Sequence, residues 1–146
     1  MSVTAVKFKM DAACADLKPR KAHEDDAAYD LHAAADMVIP ASGRAIIPTG
    51  VYLELPVGFE AQIRPRSGLA AKSGITVLNT PGTIDAGYRG EIKCIMYNTE
   101  RTDYPVKRGD RIAQMVIARL AEVTLEEVTE LSDSDRAAGG FGSTGK

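Results

Sequence analysis

Four stretches of the sequence carry residue types at spacings suited to chemistry on an anion. The first is Arg64-Pro65-Arg66-Ser67-Gly68-Leu69. Ser67 suits the N-cap of a brief helix over Ser67 to Lys72, and Gly68 lets a ligand approach the backbone. Free N–H groups and the helix dipole then face an anion, with Arg66 alongside. The same residues also read as an ordinary capped turn with surface arginines. The second is Asn79-Thr80-Pro81-Gly82-Thr83-Ile84-Asp85-Ala86-Gly87-Tyr88-Arg89-Gly90, a Pro/Gly-punctuated hairpin between two strands. Its Asp85 suits orienting or deprotonating a water, and Tyr88 suits packing on a sugar or a ring. The plainer reading is turn chemistry, with Asn79 and Asp85 bonding the local backbone.

The third stretch, Gly140-Phe141-Gly142-Ser143-Thr144-Gly145-Lys146, fits the opening of the phosphate-loop pattern GxxxxGK. That motif requires a preceding strand, a Ser or Thr after the Lys, and a following helix, so the Walker reading is rejected. Glycine-freed N–H groups, two hydroxyls, Arg136 and an aromatic plane still suit phosphate oxygens plus a flat ring. Alone, the segment reads as a disordered polar tail. The fourth is the acidic run of Glu24, Asp25, Asp26 and Asp30 around Ala28-Tyr29-Asp30-Leu31. It has no regular metal-ligand spacing, and Glu24 to Asp26 read as a solvated loop. His23 and His32 have no partner pattern, and no Ser/His/Asp or Cys/His set is legible.

The elements that must hold these residues are strands. Turn signals recur at short intervals, and Ala45 to Leu55, Phe59 to Ile63, Ile75 to Leu78, Glu91 to Tyr97, Arg111 to Leu120 and Val123 to Val128 read as strands between them. In Glu91 to Tyr97, Ile92, Cys94 and Met96 fall on one face. No window supports a major helix, so the pattern is all-β, a sandwich or a barrel. The strand around Ile112 to Ala118 is apolar on both faces except at Gln114. It is either a central sandwich strand or one whose second face another subunit covers. After Leu131 the chain turns Gly-rich, with Phe141 its one large apolar residue, and cannot bury enough surface to order itself.

A chain of 146 residues suits one domain, and 45% hydrophobic with 26% charged residues reads as globular. A net charge of −2 argues against a protein built to grip a nucleic-acid backbone, but a few arginines can still hold a small anion. Cys14 and Cys94 form no CxxC spacing, so neither zinc nor a disulfide framework is indicated. The apolar runs fall far short of the ~18 residues a membrane span needs, and the N-terminal residues lack a signal core. A soluble cytoplasmic protein is the expectation, with neither a nucleic acid nor a membrane as partner.

The order of the motifs says more than any one of them. AAYDLHAA (Ala27 to Ala34), PRSGLA (Pro65 to Ala70), NTPGTIDAGYRGEI (Asn79 to Ile92), RGDRIAQ (Arg108 to Gln114) and GGFGSTG (Gly139 to Gly145) together resemble the five ordered motifs of the trimeric dUTP diphosphatases. The likeness runs from Val3 to the end of the chain. It implies a jelly-roll-like β-barrel over 1–131 and a flexible Gly-rich lid over 132–146. It further implies a homotrimer with three sites, each built from three chains. The implied reaction is hydrolysis of dUTP to dUMP and pyrophosphate with Mg²⁺, held mainly by the substrate phosphates.

Residue roles follow from the same resemblance. Asp85 positions and activates the attacking water, and Tyr88 stacks beneath the deoxyribose. Asn79 and the backbone of the hairpin, from Thr83 and Ile84 to Lys93, bond the uracil edge. Arg66, Ser67, Gly68 and Gln114 hold phosphates from a neighbouring chain, and Asp30 supports the metal end indirectly. Arg136, Gly142, Ser143 and Thr144 close on the γ-phosphate while Phe141 covers uracil. One position departs from the family pattern: Ala137 stands where a glycine usually follows the arginine, which would strain a backbone with positive φ. The rivals are a dCTP deaminase or bifunctional deaminase–diphosphatase of the same fold, and a non-catalytic nucleotide-binding or regulatory trimer that keeps the pocket. PRSGL in place of Arg-Ser-Ser, together with the GGFGSTG tail, speaks against the first. Asp85 speaks against the second.

Overall fold

The computed structural model describes residues 2–145. In chain order its elements are β1 (Lys7–Met10), a 3₁₀ helix (Ala12–Leu17), β2 (Tyr29–His32), β3 (Met37–Ile39), β4 (Arg44–Glu54) and β5 (Phe59–Arg64). They continue with α1 (Ser67–Ser73), β6 (Ile75–Val77), β7 (Gly82–Ile84), β8 (Glu91–Asn98), β9 (Tyr104–Val106) and β10 (Arg111–Arg119). Antiparallel pairing gives one sheet of order β1-β4-β8-β6, a second of order β2-β10-β5-β7, and a β3-β9 pair. Both large sheets feed one core, but the pairing does not run on into a single closed ring of strands.

Alternation explains how β8 contributes. Ile92, Cys94 and Met96 are buried on one face, while Lys93 is exposed on the other. Burying each such side chain stabilises the fold by about 1.5–3 kcal/mol. The same burial pushes the Cys94 thiol up to about 12, so it stays protonated and inert. Asn98 ends the strand with its amide fully used. Nδ2 donates to the Ile39 and Thr102 carbonyls at 3.1 and 2.8 Å, and Oδ1 accepts from the Glu100 N–H at 3.0 Å. A buried amide left unpaired there would cost about 1–3 kcal/mol.

A bulge between Pro48 and Val51 shapes the opposite edge of the β4–β8 ladder. Buried Thr49 donates its hydroxyl to the Ile92 carbonyl at 2.6 Å, and the Gly50 N–H donates to Glu91 Oε2 at 2.9 Å. Gly50 has φ 72°, and an added β-carbon would lie 2.7 Å from Cys14 Cβ, so both backbone and packing require glycine there. Arg108 ties the β9–β10 turn to the 3₁₀ helix. Its NH1 and NH2 meet Asp16 at 3.0 and 2.7 Å, and NH2 also donates to the Ala13 carbonyl at 2.8 Å.

The Arg108 guanidinium holds the Asp16 carboxyl below its ordinary value of 3.8. The ionised form is therefore favoured on folding, and its contribution is present above that value and is lost as pH falls below it. Asp16→Asn is expected to lower the melting temperature slightly at pH 7. That difference should shrink as pH falls below 3.8 in thermal unfolding followed across pH.

Several expectations change. Val123 to Val128 is not a strand, because among the described residues no edge of the chain pairs with it; Val123 and Leu125 are 76% and 101% exposed. Arg66, not Ser67, is the N-cap of α1, in extended conformation and without a side-chain capping bond. Short β1, β2, β3, β7 and β9 join the longer strands anticipated from the sequence. β10 is central in its sheet, with Ala113 and Met115 buried, while Gln114, Val116 and Ala118 remain half-buried on its other face. No helix among the described residues is long and apolar enough to cross a membrane.

Candidate active site

β10 gathers the first group of candidate residues. Gln114 pairs across the ladder with Asp30 of β2 on one side and with Arg64 of β5 on the other. Facing residues of neighbouring strands project on the same side of a sheet, so the three form one row. The turn after β5 carries Pro65, whose carbonyl accepts the Gln114 amide at 2.8 Å. That bond pins the start of α1 against the row. An open cleft of about 320 Å³ lies here, lined by Asp30, Arg66, Ser67, Gly68, Arg111 and Gln114 together with the 22–28 loop.

The charges in this cleft are arranged around Asp30. Its two carboxylate oxygens lie 3.8 Å from Arg66 Nε and 3.6 Å from Arg111 NH1. Arg66 also donates to the Arg111 carbonyl at 3.3 Å. One carboxylate thus lies between two guanidiniums, which leaves one positive charge in excess among these three groups, while Asp26 lines the rim of the same cleft. Gly68 leaves open space where a side chain would be, since an added β-carbon would meet nothing within 4 Å. Sequence reasoning passed over Arg111, although it lies inside RGDRIAQ; its ion pair with Asp30 becomes visible only once β2 and β10 are paired. Burial holds the neighbouring His32 imidazole below its ordinary value, and among the described residues His32 Nδ1 has no hydrogen-bond partner.

The β7–β8 hairpin carries the second group. A narrow slot of about 50 Å³ is lined by Asn79, Thr83, Ile84 and Lys93, with Ile63, Val77 and Cys94 among its apolar walls. Asp85 and Tyr88 stand in the turn beyond it, where the Tyr88 N–H donates to the Asp85 carbonyl at 3.1 Å. Among the described residues the Asp85 carboxylate has no hydrogen bond or ion pair, and neither does the Asn79 amide. Both side chains are therefore uncommitted, contrary to the reading in which they bond the local backbone. Arg89 braces the turn from behind, donating to the Ala86 carbonyl at 2.6 Å and lying 3.8 Å from Glu54.

Within one chain these two groups are well separated. β7 pairs with β5 at Ala61↔Ile84, whereas Gln114 meets β5 at Arg64. With strands about 4.8 Å apart and about 3.4 Å of rise per residue, the Cα atoms of Asp85 and Gln114 lie about 17 Å apart. That exceeds the span of a triphosphate.

The tail forms a third group. Residues 121–138 and 141–145 are exposed, and Phe141 is 115% exposed, free of any packing. Only local turns organise it. The Gly139 N–H donates to the Arg136 carbonyl at 3.0 Å, and Arg136 Nε returns a bond to the Gly139 carbonyl at 2.6 Å. Ala137 has φ 49° and Phe141 φ 50°, both left-handed. The anticipated strain at Ala137 is thus real. Gly142, Ser143 and Thr144 lie in the final turns, and Lys146 falls outside the described residues.

The dUTPase family profile matches residues 16–145. A deoxyuridine 5'-triphosphate nucleotidohydrolase of Clostridium tetani is 56% identical over 88% of this chain and 88% of its own. The enzyme of the same name from Gloeothece citriformis is 56% identical over 87% and 88%. Among solved structures, a mutant dUTPase of Staphylococcus bacteriophage 80alpha with dUpNHpp superposes at TM-score 0.87. It is 26% identical and covers 99% of this chain and 100% of that one. A mutant dUTPase from phage phi11 of S. aureus, whose structure reveals the coordination of a structural Mg(II) ion, shares the fold at TM-score 0.78 and 23% identity, covering 87% and 98%. With an uncommitted carboxylate and a narrow slot on one hairpin and an arginine-lined cleft elsewhere, the chain belongs to the dUTPase family of nucleotidohydrolases.

Proposed function

We propose that the protein hydrolyses dUTP to dUMP and pyrophosphate in the cytoplasm, limiting uracil in DNA and supplying dUMP for dTMP synthesis. The observation that carries this reading is the free Asp85 carboxylate on the same hairpin as the Asn79–Lys93 slot. Uracil enters the slot and bonds Asn79 and the backbone of Thr83 and Ile84. Tyr88 supports the deoxyribose. Asp85 then accepts a proton from a water whose oxygen bonds to the α-phosphorus, and the bond from that phosphorus to the bridging oxygen breaks, releasing pyrophosphate.

Such attack needs charge neutralisation and in-line placement more than covalent help. Arg66, Arg111, Gln114 and the N–H groups of Ser67 and Gly68 supply the first. Among the described residues no three His, Cys, Asp or Glu side chains come together as a metal cage. The donor set instead fits Mg²⁺ held by phosphates and its own waters, with Asp30 acting through water. When bound, the ion neutralises and orients the phosphate oxygens.

The reading includes a homotrimer with shared sites, a body over 1–131 and a lid over 132–146. The ~17 Å between the two groups supports this, since it exceeds the reach of the triphosphate from an α-phosphorus placed beside Asp85. Half-buried Val116 and Ala118 on the outer face of β10 also suit cover by another subunit. Arg136, Ser143, Thr144 and Gly142 of a lid would close on the γ-phosphate, with Phe141 over uracil.

Incubating the protein with dUTP, dTTP, UTP and dCTP and Mg²⁺, then resolving the products by chromatography, tests this. Pyrophosphate and dUMP from dUTP are expected; no release from dUTP sinks the reading, and ammonia from dCTP reverses it to a deaminase. Ala137 allows a finer test. A left-handed alanine costs about 1–2 kcal/mol that glycine avoids, partly offset by the greater freedom of glycine in the open tail. Ala137→Gly removes that cost while touching no group placed on the nucleotide, so kcat for dUTP should change by less than about twofold in steady-state kinetics.

A further inference from the structure

Tyr88 folds back along the hairpin so that its hydroxyl donates to the Glu91 carbonyl at 2.9 Å. Glu91 is itself fixed, because its Oε2 accepts the Gly50 N–H at the β4 bulge. The path of the ring crosses Gly90. An ideal β-carbon on Gly90 would overlap Tyr88 Oη and lie 2.6 Å from Cζ and 2.9 Å from Cε1. Gly90 is not among the residues with positive φ, so its backbone does not call for glycine. What requires the missing side chain is the tyrosine ring. Tyr88 remains 45% exposed, which leaves part of the ring open to a ligand.

We infer that Gly90 is a positioning residue for sugar selection: its bare Cα is the seat that holds the Tyr88 ring flat under the nucleotide. This rests on the reading of Tyr88 as the support beneath deoxyribose. A ring held at one height leaves no space for a ribose 2′-hydroxyl. A ring pushed off its seat loses the Glu91 bond and no longer fixes that height. Gly90→Ala therefore acts on the choice between deoxyribose and ribose while leaving the fold intact, since the displaced atoms are the far end of one side chain.

The test compares kcat/KM for dUTP and UTP in the wild type, Gly90→Ala, Tyr88→Ala and the double variant. Gly90→Ala is expected to cut the dUTP-over-UTP preference by about tenfold, and to change it no further when Tyr88 is already Ala. Aromatic NMR of tyrosine-labelled protein should show one ring signal shifted in Gly90→Ala, the one absent from Tyr88→Ala, with the others unmoved. Wild-type preference in Gly90→Ala, or an equal loss in both backgrounds, overturns the inference. An unchanged preference in Tyr88→Ala overturns instead the reading of Tyr88 on which it rests.

Discussion

Asp85→Asn is expected to lower kcat for dUTP by about 10³-fold or more while changing nucleotide affinity by less than about threefold. The carboxamide matches the carboxylate in shape and keeps one acceptor oxygen, but it cannot take the proton of the attacking water. Because the Asp85 carboxylate makes no bond to its own chain among the described residues, the substitution removes nothing that holds the hairpin. The melting temperature should therefore stay at the wild-type value. Steady-state kinetics with dUTP, paired with titration of a non-hydrolysable dUTP analogue, separates the two effects. Turnover like that of the wild type would refute the role given to Asp85.

Deleting Gly139 to Lys146 is expected to cost about 10²-fold in kcat/KM and to leave the proposed trimer intact in sizing experiments. Among the described residues the tail is largely exposed and bonded only within itself, so it makes no bond to the body of its own chain. What it would supply is charge and cover over a bound nucleotide. Mixing denatured Asp85→Asn and tail-deleted chains and refolding them together sharpens the point. If Asp85 and the tail of one site come from different chains, random assembly restores activity at about a quarter of the sites. If both came from one chain, the mixture would stay as inactive as its parents. A monomeric deletion product would mean that the tail is structural.

The long strands were legible because runs rich in Val, Ile and Tyr lie between recurrent turn signals, with alternation adding to this in β8. β4, β5, β8 and β10 appear within a residue or two of the expected bounds. Strands of three or four residues, such as β3, β7 and β9, carry too few alternations to rise above loop sequence. β2 was hidden in another way, since Tyr29-Asp30-Leu31 sits beside the acidic run and only Leu31 is fully buried. Val123 to Val128 has strand composition without a strand, because composition cannot tell whether a ladder partner exists. Ser67 shows a similar limit: it is a favoured N-cap type, yet the extended Arg66 ends the turn one residue earlier.

The candidate site was legible as a set of motifs but not as a geometry. Asn79, Thr83, Ile84 and Lys93 share one slot, and Asp30, Arg66, Ser67, Gly68 and Gln114 share one cleft. Their separation within a chain depends on the register of β5 with β7 and β10, which no local pattern encodes. Arg111 and the seat at Gly90 were invisible for the same reason: each matters through a partner that only the folded hairpin or sheet brings near. Ala137 was the reverse case, a one-residue departure whose consequence the left-handed φ of 49° makes concrete.

The central claim is that water attacks dUTP at the α-phosphorus. Hydrolysis of dUTP in ¹⁸O-enriched water, with the products analysed by mass spectrometry, tests it most directly. The account predicts ¹⁸O in dUMP and none in pyrophosphate; label in the pyrophosphate would place the attack on the β-phosphorus and contradict it.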